Sequence, residues 1–315
     1  HSANCCLRKR VTAVLLRGAQ TEQARRGAIV SCIGTQARST SMIRRHRPFV
    51  CEPKYFLRQQ WSDLPRCQIG PSTVRNEEIC FLPRHSRGHK INPSNINFRA
   101  NIDALKQLGV TDIVSVSAVG SLKEELSPGK FVIIDQFIDR TFARNKTFFD
   151  DEIVAHVSMA HPTSNGLMNA CEEAIKKEKI EYQRGGTYVV MEGPQFSTLA
   201  ESNLYRSWKA DVIGMTNMPE AKLAKEAGIC YSAISMVTDF DCWHPMHDSV
   251  TVDQIINTLE KNSQTAFNFI SEFCKQEVVI CEEETKNLSG NSVITKTSKI
   301  KKNTKKKLKN IISNL

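Results

Sequence analysis

From about residue 76 to about residue 274, short apolar, β-branched runs alternate with stretches of helical periodicity. That alternation restricts the chain to one fold class. Residues 78–82 read as a strand and 93–108 as a helix, with Phe98, Ile102, Leu105 and Leu108 on one face and Gly109 as its stop. Residues 112–119 form a β-branched strand. Strands at 130–138, 186–191, 210–215 and 229–236 then alternate with helices at 164–179, 198–208 and 219–227, and a helix over 252–273 closes the series. Strands that are apolar along their whole length are buried on both faces, so helices must cover the sheet on each side. The expected fold is a single α/β domain over residues 76–281, built on a mixed, largely parallel sheet.

Charge divides the chain differently. Its formal net charge is +10, but residues 1–75 carry 12 Arg and 2 Lys against 3 acids, a net of +11. Residues 282–315 carry 9 Lys against 3 Glu, a net of +6, which leaves −7 for the middle. The globular part is therefore acidic, and the basic ends read as solvated runs rather than as a nucleic-acid-binding fold. Residues 282–315 are expected to be a disordered tail. For residues 1–75 three readings stay open: an Arg-rich targeting sequence, a disordered basic arm, or a stretch foreign to the protein. The third is preferred, because Arg gives way to Lys abruptly after residue 75. The 11 cysteines lack C-x-x-C spacing, which argues against a zinc site or a disulfide scaffold and for free or buried thiols. No apolar run approaches the ~18 residues of a membrane span, and a cytoplasmic protein is expected.

The candidate chemistry lies where strands are expected to end, the usual place for ligands in an open α/β sheet. Arg84 and His85 follow the first strand, and a guanidinium fork suits an oxyanion. Ser117, with Ala118 and a Gly120-Ser121 turn behind it, offers a hydroxyl at the end of the next. GPQFS at residues 193–197 presents Phe196 as an aromatic platform, followed by Ser197. TDFDCW at residues 238–243 places Asp239 and Asp241 at spacing i, i+2. On a strand the two would point the same way. Two adjacent acids cannot both ionise cheaply, so one is pushed towards keeping its proton. Such a pair offers a donor and acceptors together, the complement of the N6/N7 edge of adenine. Each signal is weak alone: Asp-x-Asp is more often a solvated turn or a cation loop.

As an ordered set, with Gly214-Met215-Thr216 and GSLKEELSPGKFVIIDQFIDRT, these motifs resemble the trimeric purine nucleoside phosphorylases over roughly residues 76–274. Within that family they are most similar to the methylthioadenosine-cleaving branch. The resemblance implies phosphorolysis of an N-glycosidic bond through an oxocarbenium-like transition state. It also implies a homotrimer, inorganic phosphate as co-substrate, and neither metal nor organic cofactor. On this basis Arg84, His85 and Ser117 match phosphate-binding positions. Phe196 matches the residue on the base, Met215 the one beneath the ribose, and Asp239 the acid at purine N7. Asp241 and Thr238 lie around the amino edge. Val252 and Ile255 match the lining of the 5′ pocket, and His156 a histidine supplied by a neighbouring subunit. Ala118, Ser197 and Thr216 complete the substrate-binding set. Ser197, Asp239 and the apolar pair Val252 and Ile255 stand where 6-oxopurine enzymes carry Glu, Asn and His, which favours 5′-methylthioadenosine over inosine. A methylthioinosine or 6-oxopurine phosphorylase, and an impaired nucleoside-binding remnant, are the alternatives.

One departure stands out. The family opens with a strand running into a Gly-Gly-Thr/Ser-Gly phosphate loop, and residues 1–75 contain no such loop. The nearest approach, residues 28–35, ends in Gly34-Thr35 and is read as chance. The first strand of the sheet and part of the phosphate cradle are therefore expected to be missing.

Overall fold

Strands form along the apolar runs, and polar caps set where the helices start. The structure, a computed structural model, describes residues 11–16, 70–74, 77–86, 89–150, 152–245, 252–276 and 292–312. Its strands are β1 (Val11–Leu16), β2 (Gly70–Val74), β3 (Glu77–Pro83), β4 (Asp112–Ser121), β5 (Phe131–Ile134), β6 (Gln136–Asp139), β7 (Tyr182–Arg184), β8 (Thr187–Val190), β9 (Val212–Gly214) and β10 (Cys230–Asp239). Its helices are α1 (Phe98–Gln107), α2 (Asn165–Lys177), α3 (Leu199–Ser207), α4 (Glu220–Glu226), α5 (Val252–Phe273) and α6 (Lys302–Leu308). Asn97 caps α1 by accepting from the Ala100 N–H, and Ser164 caps α2 by accepting from Leu167. Thr198 and Glu201 form a reciprocal capping box on α3.

The sheet runs β2-β3-β1-β4-β10-β5-β7, with parallel pairing of β3, β1, β4 and β10. The expected strand at 130–138 is broken at Asp135, whose carboxylate accepts from the Gly186 N–H at 2.9 Å. Before the break β5 pairs with β10, and after it β6 pairs with β8. Because β8 pairs with β9, and β9 with the last residues of β4, the path through β10, β5, β6, β8 and β9 returns to β4. The carboxyl ends of β4, β8, β9 and β10 are thereby drawn together. β5 sends Phe131 and Ile133 to one core, with Leu167 and Phe269, and Val132 and Ile134 to the other, with Ile102 and Leu105.

Two expectations are corrected. The sheet has a strand between β3 and β4: β1, with Val14 opposite both Phe81 and Val114. This six-residue run is β-branched enough to form a strand, and only its Arg-rich surroundings argued against it. Residues 28–35 lie outside the described residues. The tail expectation also fails over 292–312. Ile300, Leu308, Ile311 and Ile312 are buried in the core that holds Ile102 and Leu105. Four apolar residues spread through a Lys-rich run are a weak signal, yet α6 needs only one apolar stripe to dock. The segment is latched to the chain near His156 by an Ala155–Val293 bridge, by Ile294 N–H to Val154 O at 2.9 Å, and by the Lys301–Glu152 ion pair. Cys80, Cys171 and Cys274 are buried and outside any disulfide, whereas Cys230 is disulfide-bonded.

One buried acid makes stability depend on pH. Glu226 accepts from the Thr147 hydroxyl at 2.6 Å and the Phe148 N–H at 2.7 Å. Burial pushes its pKa up to about 7, with Asp150 adding to the rise and these hydrogen bonds and Arg99 opposing it. Between pH 4.5 and 7 the folded state then keeps a proton that the unfolded chain has released, so stability falls as pH rises. At about 1.4 kcal/mol per unit the loss is on the order of 3 kcal/mol. Denaturant unfolding at pH 5 and pH 8 should show this fall in the wild type and a flatter response in Glu226→Gln. Equal slopes in the two proteins would refute it.

Candidate active site

Arg84 and His85 leave β3 into a buried turn. Arg84 is 0% exposed, and its Nε and Nη2 grip Glu220 at 2.6 and 3.0 Å. Nη2 also donates to the Ser115 hydroxyl, and Nη1 makes only a 3.5 Å contact to Val116 O. Burial opposes the charge of Arg84, but Glu220 outweighs it and the pKa is raised. The bidentate fork expected to meet an oxyanion is thus spent on Glu220, because a buried guanidinium needs a counter-charge. The Nη1 edge is what remains for an anion. His85 lies 2.7 Å through Nδ1 from Ile91 O, and a carbonyl can only accept, so Nδ1 carries the proton. Its ring stacks on His89 at 4.1 Å.

The next strand ends supply hydroxyls. Ser117 of β4 and Thr216, just past β9, are both buried, with their oxygens 3.3 Å apart. Ser117 also donates to Asn217 Oδ1 at 3.1 Å, while Asn217 Nδ2 donates to Ser115 at 3.2 Å and to Tyr231 at 3.0 Å. Tyr231 donates to Glu220 at 2.7 Å, and burial pushes its phenol well up, so it is a neutral donor. Arg84, Glu220, Tyr231, Asn217, Ser115, Ser117 and Thr216 therefore form one buried network. Thr216 was expected with the nucleoside; its contact places it beside Ser117.

The two aspartates meet by a turn and not by strand alternation. β10 stops at Asp239, and Asp241 has φ +52, in the left-handed region. The Asp241 N–H donates to Asp239 Oδ1 at 2.9 Å, and the Thr238 hydroxyl lies 2.7 Å from Oδ2. The motif is thus an Asx turn, the ordinary use of this spacing, but set against buried backbone. Burial pushes Asp241 up to about 6, and the charge of Asp239 adds to this against the pull of Ser202. Asp241 therefore holds its proton to a higher pH than an ordinary aspartate, while Asp239 is the more open of the two. Gly120 makes the approach possible: a Cβ there would lie 2.9 Å from Asp239 Oδ1 and 3.3 Å from Asp241 Cβ. Gly120 and Ser121 are the end of β4, paired with β9, and not a turn.

Phe196 is 47% exposed beside this site. Ser197 donates weakly to Met191 Sδ at 3.5 Å, and its carbonyl lies 3.4 Å from Cys242 Sγ. The Phe196 loop touches Met215 through Gly193, whose φ is +67 and whose Cβ would fall 2.5 Å from Met215 Sδ. Trp243 ties the aspartate turn to β4, donating from Nε1 to Ser121 O at 2.7 Å beneath the Arg206 guanidinium.

Comparison with known proteins gives this geometry a lineage. The phosphorylase superfamily model matches residues 74–275, well over half of the chain. The chain belongs to the phosphorylase superfamily. The S-methyl-5′-thioadenosine phosphorylase of Rhodospirillum rubrum is 62% identical over 203 residues, 64% of this chain and 69% of that protein. The one from Bradyrhizobium diazoefficiens is 54% identical over 219 residues, 70% and 75% of the two chains. A methylthioadenosine phosphorylase crystal structure from an antarctic soil metagenomic library covers 96% of this chain and 99% of its own, at 37% identity and TM-score 0.75. A mutant adenosine/methylthioadenosine phosphorylase of Schistosoma mansoni, solved with adenine, is 34% identical, covering 65% and 80%, with TM-score 0.64.

In this member of the superfamily, Ala118 is buried on β4 between Ser117 and the aspartate turn. Val252 and Ile255 lie in the first turns of α5; their side chains lie outside the described residues. His156 sits on an exposed stretch, its N–H donating to Ser292 O at 2.9 Å, so it belongs with the carboxyl-terminal latch. Sequence reasoning missed Glu220, Asn217 and Tyr231, which hold Arg84 and Ser117 in place. Glu220 carried a signal: an acid in the first turn of a helix between two apolar strands is a counter-charge available to a buried Arg.

Proposed function

We propose that this chain is a purine nucleoside phosphorylase that cleaves 5′-methylthioadenosine with inorganic phosphate, giving adenine and 5-methylthioribose 1-phosphate. The observation that carries this is the Asp239–Asp241 pair set against Gly120, three residues along β4 from Ser117. Three strand residues span about 10 Å, room to seat a ribose between a phosphate and a purine. Ser117, His85 and the Nη1 edge of Arg84 form the phosphate end, and we add Thr216 to it because its hydroxyl sits beside Ser117. Phe196 stacks on the base, Met215 underlies the ribose, and Val252 and Ile255 close on the methylthio group. Phosphate attacks C1′ from its end while the glycosidic electrons pass to the purine. Asp239 meets N7 and delivers the proton that neutralises the leaving base; Thr238 orients Asp239. Ser197 places no carboxylate at the purine N1, which supports the 6-amino base over the 6-oxo alternative. A role in purine and methionine salvage, in the cytoplasm, completes the reading. Among the described residues no helix is long and apolar enough to cross a membrane. The direct test is release of free adenine from methylthioadenosine that requires phosphate and yields no ribosyl product without it.

The reading includes a homotrimer in which His156 completes a neighbour's pocket. Exposed Val154 and Ile294, 50% and 65% accessible, flank that histidine and suit a subunit contact. Light scattering of active protein should give three times the mass of one chain; an active monomer would exclude the arrangement.

A further inference from the structure

Arg144 lies in the loop between β6 and α2 and is buried, its side chain 1% exposed. All five of its N–H groups are engaged. Nε donates to Glu192 Oε1 at 3.1 Å; Nη1 to Met215 O at 2.7 Å and Met218 O at 2.6 Å; Nη2 to Glu192 O at 2.6 Å and Met191 O at 3.4 Å. Glu192 is filled in turn. It accepts from the Ser94 hydroxyl and from the N–H groups of Phe142 at 2.6 Å and Ala143 at 3.1 Å. Burial raises the pKa of Glu192, but these donors and Arg144 outweigh it and hold the carboxyl down at about 2.

The loop that carries Arg144 is pinned on both sides of it. Asp139 binds Lys222 at 2.5 Å and Lys146 at 3.1 Å. Glu226 takes Thr147 and Phe148. The Phe98 ring lies 5.4 Å from the guanidinium carbon. The carbonyls that Arg144 gathers belong to the two segments that continue into the site, one through Gly193 to Phe196 and the other at Met215 and Thr216. None of the hydrogen bonds of Arg144 and Glu192 named here goes to the Asp239–Asp241 turn.

We propose that Arg144 is a positioning residue for the nucleoside: with Glu192 it fixes Met215 and the Phe196 loop relative to each other, so that base platform and ribose floor face one substrate. This rests on the phosphorylase reading. No other side chain can replace it, because a lysine ammonium offers three donors on a point charge where five in one plane are used.

The test is Arg144→Lys, assayed with methylthioadenosine and phosphate varied separately. Misplacing the site walls by about 1 Å costs on the order of 100-fold in kcat/KM. The loss should appear mainly as a raised KM for the nucleoside, with the KM for phosphate changed by less than about threefold. A merely structural role would instead lower the active fraction, reducing kcat and leaving both KM values alone; that result overturns the proposal. Ser94→Ala, which removes only one donor from Glu192, serves if Arg144→Lys does not fold, and should raise the nucleoside KM by several-fold. An unchanged nucleoside KM there also overturns it. If the wild type releases no base, the phosphorylase reading is what fails. Calorimetry with adenine then still decides: Arg144→Lys must bind it more weakly than the wild type, and equal affinity refutes the positioning role.

Discussion

Asp239→Asn should lose at least 100-fold in kcat/KM for methylthioadenosine while keeping its folded structure. The amide is the same size and can still accept the Asp241 N–H at Oδ1, so the turn survives. It has no carboxylic proton to deliver to the leaving base, while the Thr238 hydroxyl can accept from its NH₂ group and donate to Val119 O instead. General-acid assistance to a leaving group is worth about 10²- to 10⁴-fold. Methylthioinosine or inosine, whose 6-oxo group takes a donor, should lose far less, so the ratio between the substrates shifts even if total activity drops. Parallel losses on 6-amino and 6-oxo nucleosides would show that Asp239 acts on the fold and not on the base.

Glu220→Ala should destabilise the protein by about 3–5 kcal/mol. Arg84 is fully buried, and Glu220 is its counter-charge as well as the acceptor for Tyr231. Removing one partner of a buried pair strands the other charge away from water, which is where a cost of that size comes from. Glu220→Gln keeps one acceptor but no charge and should fall between the two. Urea midpoints at pH 7 measure this directly. A change in Glu220→Ala below about 1 kcal/mol would mean that Arg84 finds solvent or another acid, and the buried network would not be what orders the proposed phosphate end.

The sheet and most helices were legible because their signals are local. Helix α5 starts and ends where its apolar periodicity does, and the caps at Ser164 and Thr198 mark real helix starts. What escaped depended on partners distant in sequence. The break at Asp135 is set by Gly186, 51 residues away, and nothing in the run itself marks it. β1 lies in the Arg-rich stretch read as foreign to the protein, and its six residues carry no partner signal that would mark it as the first strand. The latch over 292–312 was hidden by lysines whose apolar neighbours are too sparse to read without the surface they cover. In the site, residue types in the sequence did not reveal the geometry in which the structure holds them. Arg84 is held by a glutamate 136 positions away, and the aspartate pair is assembled by a left-handed turn that strand alternation could not foresee. Arg144 gave no signal, because all its acceptors but one are backbone carbonyls.

Under the proposed function, the pocket selects a 6-amino purine with an apolar 5′ group and breaks its glycosidic bond with phosphate. The measurement that tests it most directly is base release from methylthioadenosine, adenosine and inosine by the same preparation, with and without phosphate. Phosphate-dependent release is expected, with kcat/KM highest for methylthioadenosine and lowest for inosine. Faster turnover of inosine than of methylthioadenosine, or base release that does not need phosphate, would contradict it.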